Sequence, residues 1–347
     1  MRSIIAGLMV SMTMSMASPT VVQAQAYKVE AEDLTVPYGT DAQMYVRHKR
    51  PDGVNKFASD RIAIMVHGAT YPATAFDLPL AGKSWMDYLA ERGFDVYAFD
   101  LPGYGRSTRP PAMEQPADQN APFMRTADAA KALGAVVDFV RGRQGVESVN
   151  LIGWSWGTAI TATYAADNPA KVARLIMYAP VWIRTTPSLG RVEGKLGAYR
   201  TVSRDAALQR WLTGVPEEKK ADLIPTGWFE KWADATFATD PKGAGKTLRA
   251  PNGVVQDGQE FWSAGKPTYD PGKIRAPVLL VLGEWDRDTP PYMAQTLFPL
   301  LVNAKWKRLA MLSEGTHTIA MEKNRMLLLR TVQQFLEEAA PMAEATR

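Results

Sequence analysis

The chain has 347 residues, 46% apolar and 22% charged, a balance that fits a large folded core and excludes a disordered chain. Its net charge is +4, with Lys and Arg spread along the sequence and no basic block, which excludes a nucleic-acid footprint. There is no cysteine, so disulfides, thiol catalysis and thiolate metal sites are excluded. The first segment reads as a leader: Met1-Arg2-Ser3 is a positive start, Ile4 to Ala17 is apolar, and Ala24-Gln25-Ala26 matches a signal-peptidase site. Cleavage after Ala26 would start the mature chain at Tyr27 and export it to the periplasm or the medium. The apolar run is shorter than the roughly 20 residues a spanning helix needs, so no stable membrane anchor is expected after cleavage.

Tyr27 to Arg50 alternates loosely and predicts two antiparallel edge strands joined near Tyr38-Gly39-Thr40-Asp41. Ile62 to Val66 is a short apolar strand running into His67-Gly68-Ala69-Thr70, a turn able to aim backbone N–H groups at an anion. A helix is predicted over 84–91, closed by Arg92-Gly93, and a strand over 95–100. The proline-rich stretch from Pro110 to Pro122 reads as a surface loop, followed by a helix over 126–143 with Ala129, Leu133, Val136, Val137 and Val140 at helical spacing. Strands follow at 148–152, 175–180, 277–282 and 309–312, with helices over 156–166 and 322–339. Alternation of this kind predicts an α/β protein with a mostly parallel central sheet flanked by helices. Between the strands at 175–180 and 277–282 the chain is too long for a plain loop, and it contains helical pieces at 205–212, 217–223 and 228–236.

Gly153-Trp154-Ser155-Trp156-Gly157 is a G-x-S-x-G pentapeptide between an apolar strand and a helix with a small-residue face of Ala159, Ala162 and Ala165. A serine at such a turn has a strained backbone and an exposed Oγ, and the flanking glycines remove Cβ atoms that would block the close approach. The hydroxyl needs a base, and among side chains only histidine titrates in the right range without large perturbation. Of the three histidines, His317 lies just past a strand in Ser313-Glu314-Gly315-Thr316-His317 and is the candidate. His67 competes from its own strand end, and His48, in an Arg- and Lys-rich edge segment, reads as solvated. The strand ending at Gly283 is followed by Glu284, Asp286 and Asp288, one of which must hold the imidazole. No H-x-x-H or H-E-x-x-H spacing occurs, so neither a metal nor another cofactor is expected.

The order Ser, Asp, His, each past a strand end, resembles the α/β-hydrolase fold family over nearly all of the chain after about residue 27. Asp100-Leu101-Pro102-Gly103-Tyr104-Gly105-Arg106-Ser107 is similar to the D-x-x-G-x-G-x-S turn of that family, where its role is structural. The resemblance implies a helical cap at 181–274, inserted between a first core part, 27–180, and a second, 275–347. It implies Asp286 as the orienting acid through the G-x-x-D spacing before proline, with Asp288 as the alternative. It implies an oxyanion hole of the Trp156 and Ala69 N–H groups. Thr70 or Tyr71 would add a hydroxyl, and Trp154 and Trp182 would wall a substrate pocket. The chain lacks the H-G-G-G run of some esterases and the H-G-G-P-G run of proline iminopeptidases, so ester hydrolysis is preferred over amide cleavage. The expected reaction is acyl transfer from a small-molecule ester, aromatic or bulky and apolar, through Ser155, His317 and Asp286. The alternatives are an amidase or aminopeptidase, a C–C bond hydrolase, or a non-catalytic binding protein on the same fold.

Overall fold

The computed structural model describes residues 26–190 and 194–339, so the leader segment up to Gln25 lies outside the described residues. Ten residues on either side of Gly39 form the hairpin strands β1 (Val29–Tyr38) and β2 (Ala42–Pro51), paired antiparallel as the alternation predicts. The next strands are β3 (Ile62–Val66), β4 (Asp95–Phe99) and β5 (Val149–Trp154), buried at every residue. Strands buried on both faces belong to a parallel sheet covered by helices on each side. With β6 (Val172–Tyr178), a strand at Val278–Gly283 and one at Lys307–Leu312, they complete an eight-stranded sheet among the described residues.

Between β6 and the Val278 strand, the chain adds no strand to this sheet. It forms β7 (Tyr199–Ser203) and β8 (Thr247–Pro251), an antiparallel pair of their own, so the last two sheet strands are β9 (Val278–Gly283) and β10 (Lys307–Leu312). The sheet order is β1-β2-β4-β3-β5-β6-β9-β10, parallel from β4 onward, with β2 antiparallel to both of its neighbours, β1 and β4. Crossovers therefore carry the helices to both faces.

Those helices are α1 (Trp85–Ala90), α2 (Thr126–Gln144), α3 (Trp156–Asp167), and, in the second part of the chain, segments at Pro291–Leu297 and Arg325–Glu337. Helix α1 starts where Ser84 and Asp87 satisfy each other's backbone N–H, Oγ accepting at 3.0 Å and the carboxylate at 2.8 Å. Helix α2 stops at Gly145, whose φ of 74° only glycine holds without strain. On α3, Ala159, Ala162 and Ala165 are all buried, and these small side chains let the helix lie close to the sheet. The segment between β6 and β9 holds α4 (Arg204–Trp211), α5 (Lys220–Leu223), α6 (Trp228–Phe237) and α7 (Gly253–Glu260) besides the β7–β8 pair. It is mixed where the sequence pattern predicts helices alone. β7 and β8 are short, half polar and 43 residues apart, so neither carries a periodic signal of its own.

Candidate active site

The turn from β5 into α3 places Ser155 at φ 56° and ψ −122°, a conformation that costs a non-glycine residue about 1–3 kcal/mol. The surroundings over-determine it. A Cβ on Gly153 would overlap the carbonyl of Gly157, and a Cβ on Gly157 would overlap the carbonyls of Val66 and His67. Gly68 presses on the serine from the other side, where a Cβ would lie 3.1 Å from that of Ser155. The Ser155 N–H is fixed at 2.9 Å to the Tyr178 carbonyl, and the Thr158 N–H at 2.8 Å to the Ser155 carbonyl. Three glycines thus allow two strand ends and a helix start to meet at one hydroxyl.

His317, in the loop after β10, lies across the same cavity. Its Nδ1 is 2.9 Å from Asp286 Oδ2, in the loop after β9. Asp286 is fully buried, and Thr289 holds both of its oxygens, the N–H donating to Oδ1 at 2.8 Å and the hydroxyl to Oδ2 at 2.8 Å. The backbone of the histidine is gripped as well: its carbonyl accepts from the Trp154 indole at 3.0 Å and from the Tyr178 hydroxyl at 2.6 Å. Burial pulls the imidazole down, but the Asp286 and Asp288 carboxylates outweigh it and hold the group above the ordinary histidine value. A Nδ1 proton donated to Asp286 leaves Nε2 as the free, basic nitrogen facing the cavity. No hydrogen bond joins Nε2 to Ser155 Oγ in this structure. Such contacts often tighten only when substrate is bound.

Asp288 turns away from the imidazole nitrogen to Arg210, which donates through Nε at 2.9 Å and also through Nη2. Burial raises this carboxyl, and the Arg210 guanidinium more than offsets that, holding it below the usual range. Glu284 is used locally, accepting from the Glu314 N–H at 2.6 Å. Five residues after the histidine, the fully buried Glu322 accepts from the Thr316 N–H at 3.0 Å, from the Thr316 hydroxyl, from the Thr318 hydroxyl at 3.1 Å and from the Trp211 indole of α4 at 2.8 Å. No cation pairs with it among the described residues, and burial raises its pKa.

Trp156 opens α3, so its N–H has no acceptor within the helix. Its side chain is buried and donates to Thr126 Oγ1 at 2.9 Å. The Ala69 peptide is fixed through its carbonyl, which accepts from the Tyr104 hydroxyl at 2.9 Å and from Arg200 Nη2 at 2.6 Å. Tyr104 sits in the Asp100–Ser107 turn, whose Asp100 carboxylate accepts from the N–H groups of Ala73 at 2.8 Å and Arg106 at 2.9 Å. Gly105 has to lack a Cβ because that atom would fall on the same carboxylate. The turn is structural and holds the 69–73 loop beside the serine.

Two cavities meet at Ser155, Ala69 and Thr70, with the Arg210–Asp288 pair also lining both. One, of about 50 Å³, is walled by Tyr71, Trp154, Trp211 and Trp232 and also reaches His317. The other, of about 790 Å³, runs past Trp156, Arg184, Arg200, Arg210 and Trp262. Trp154 therefore reaches the first cavity while bonding His317, and Thr70 borders both. Trp182 is not brought to the serine. It packs against Tyr269, ring centroids 5.2 Å apart, on a separate cleft formed by Pro267 to Gly272 with Leu300 and Val302.

The remaining histidines are held elsewhere. His67 is fully buried, with Nδ1 2.8 Å from the Gly68 carbonyl and Nε2 accepting from the Leu101 N–H at 3.2 Å, and burial lowers its pKa. His48 departs from the solvated reading. It is 1% exposed, stacked on Tyr97 at 4.1 Å and bridged between Glu32 at 2.7 Å and Asp95 at 2.5 Å. Arg47 and Lys49, its immediate neighbours in β2, point to the other face, and its partners come from β1 and β4, out of reach of a linear reading. Thr289, Tyr178, Glu322 and the three arginines also escape the sequence reading. For Thr289 a local signal exists, since a threonine three residues after an aspartate can cap that carboxylate as in an Asx turn.

Among the described residues, no helix is long and apolar enough to cross a membrane, and no cluster of acidic, histidine or cysteine side chains is arranged to hold a metal. The family model described as alpha/beta hydrolase fold matches residues 64–311, more than two thirds of the chain. The chain belongs to the alpha/beta hydrolase fold family. It is 25% identical over 289 residues to the pimeloyl-[acyl-carrier protein] methyl ester esterase of Neisseria meningitidis serogroup B, covering 78% of this chain and 89% of that protein. It is 32% identical over 85 residues to the abhydrolase domain-containing protein abhd-5.2 of Caenorhabditis elegans, 24% of this chain and only 17% of the relative's length. Among solved structures, the monoacylglycerol lipase of Paleococcus ferrophilus superposes with a TM-score of 0.55 at 22% identity, over 84% of this chain and 98% of the other.

Proposed function

We propose that this hydrolase cleaves carboxylic esters through an acyl-enzyme on Ser155, with His317 as base and acid and Asp286 as the orienting carboxylate. The observation that carries the reading is the buried Asp286–His317 pair, 2.9 Å apart, across one cavity from a serine at φ 56°. His317 Nε2 takes the Ser155 proton as Oγ bonds to the ester carbon, and the oxyanion sits at the N–H groups of Ala69 and Trp156. Each such donor is worth about 3–4 kcal/mol of transition-state stabilisation. The alcohol leaves with the proton from Nε2. Water then gives a proton to Nε2 while its oxygen attacks the acyl carbon, and collapse frees the acid and returns the proton to Ser155.

The segment 181–274 acts in this reading as a cap over the site, between core parts 27–180 and 275–347. Residues 1–26 act as an export leader, which N-terminal sequencing of the secreted product tests. Esters fit better than amides because Ala69 stands where iminopeptidases carry a glycine-proline loop. The test is hydrolysis of p-nitrophenyl esters from acetate to palmitate by the wild type and Ser155→Ala, alongside labelling by a fluorophosphonate. Wild-type turnover and labelling, both lost in Ser155→Ala, bear the reading out. Labelling without turnover of any ester moves it to amide or C–C cleavage.

A further inference from the structure

The cavities at Ser155 divide the substrate unequally. The aromatic one, at about 50 Å³, is a third the size of a cavity of roughly 150 Å³ that can hold benzene, so it takes only a small group. The bulk of any larger ester has to lie in the other, of about 790 Å³, and that one is not apolar. Its described lining carries three guanidiniums, from Arg184, Arg200 and Arg210, against one carboxylate, Asp288.

Among the described residues, Arg210 alone of the three contacts a carboxylate directly, through two nitrogens to Asp288. Arg200 has five acceptors, all uncharged: the carbonyls of Ala69, Ala250 and Pro251, the Thr70 hydroxyl and the Asn252 amide oxygen. Among the described residues, the hydrogen bonds of Arg184 go to the carbonyls of Pro187 and Asp288. Burial pulls both guanidiniums below their ordinary values; no carboxylate offsets it at Arg200, and at Arg184 the nearby charges of Asp288 and Asp286 offset it only in part. Arg200 has committed its terminal nitrogens to the 69–70 loop and the end of β8, so it supplies field and position. Arg184 has donors to spare. A guanidinium fork with free N–H groups binds a carboxylate in two parallel hydrogen bonds.

Taking the esterase reading as given, we propose that the substrate is an anionic ester, whose carboxylate lies in the large cavity against Arg184 in the field of Arg200, away from the bond that Ser155 attacks. Bound substrate then offsets the excess of positive charge that the described residues give the large cavity. The arginines orient the molecule, and the small aromatic cavity admits the short group at the other side of the ester carbonyl. Neutral fatty esters of the same length lack the anchor.

The test reads binding apart from turnover. Ser155→Ala protein is titrated calorimetrically, at low salt, with monomethyl esters of the dicarboxylic acids from succinate to suberate and with the matching dimethyl esters. At least one half-ester is expected to bind about tenfold or more tighter than its diester, the scale of one or two hydrogen bonds to a charged group. That ratio should fall at least fivefold on adding Arg184→Gln, and part of it should persist with Arg184→Lys, which keeps the charge without the fork. Equal binding of half-ester and diester across the series overturns the inference, as does a preference that Arg184→Gln leaves intact. The esterase reading fails by a different result, a wild type that hydrolyses none of these esters and takes no fluorophosphonate label. The titrations stand whichever way that turns out.

Discussion

His48 and His317 are built alike and placed differently. Each ring has one nitrogen against a buried carboxylate, Asp95 at 2.5 Å and Asp286 at 2.9 Å, and each lies beside an aromatic ring, Tyr97 or Trp154. The second nitrogen separates them. That of His48 is taken by Glu32 at 2.7 Å and the side chain is 1% exposed, whereas the side chain of His317 is 14% exposed and opens on the cavity of Ser155. An acid-paired histidine is thus an ordinary structural unit of this fold. In the proposed mechanism such a pair serves as base only where one nitrogen is left over and opens on the cavity of a nucleophile.

The comparison breaks most sharply at the two rings themselves. His317→Ala is expected to lower kcat with p-nitrophenyl acetate by about 10⁵–10⁶-fold, as Ser155→Ala does, and the double variant should lose hardly more, since the two act as a unit. His48→Ala should retain kcat per folded molecule and instead lose about 3 kcal/mol of stability, because Asp95 is left buried without its partner. Urea denaturation followed by activity of the native fraction separates the two. A His48→Ala protein that is stable but inactive would overturn the assignment of roles.

Asp286→Asn comes next in size, with an expected loss of about 10³–10⁴-fold in kcat/KM through the wrong tautomer, while the fold survives. Retained activity in that variant would move the orienting role to another acid.

The strands β3, β4, β5, β6 and β9 were legible because buried parallel strands are continuous apolar runs, and the elbow because two glycines and a serine have fixed spacing. The hairpin of β1 and β2 could be read from alternation. What could not be read depends on partners far along the chain: His48 needs Glu32 and Asp95, and Arg200 needs Ala69, Pro251 and Asn252 before its burial has meaning. Trp154 and Trp182 were both expected at the substrate, yet nothing in either local sequence distinguishes a tryptophan aimed at His317 from one packed on Tyr269.

A smaller effect sharpens the same contrast by pH. In the proposed mechanism His317 takes a proton only when Nε2 is unprotonated, and its folded pKa is raised, so the acid limb of kcat/KM should lie above the ordinary value of about 6.5. Removing a neighbouring negative charge by Asp288→Asn should slide that limb to lower pH. Linkage gives a matching sign for stability. Protonated His317 stabilises the fold fully below the unfolded value, and that contribution disappears as pH rises through the raised folded one. A limb unmoved in Asp288→Asn would mean that this carboxylate is screened from the ring.

Glu322 ties the residues on either side of His317 to Trp211, the indole that walls the small aromatic cavity. On the proposed mechanism, an ester that displaces Trp211 on entry is expected to pull on the same carboxylate that holds the backbone beside His317. Substrate fit and the pose of the imidazole would then share one mechanical joint, and a group too large for the small cavity is expected to be penalised twice, in how it seats and in how fast it reacts.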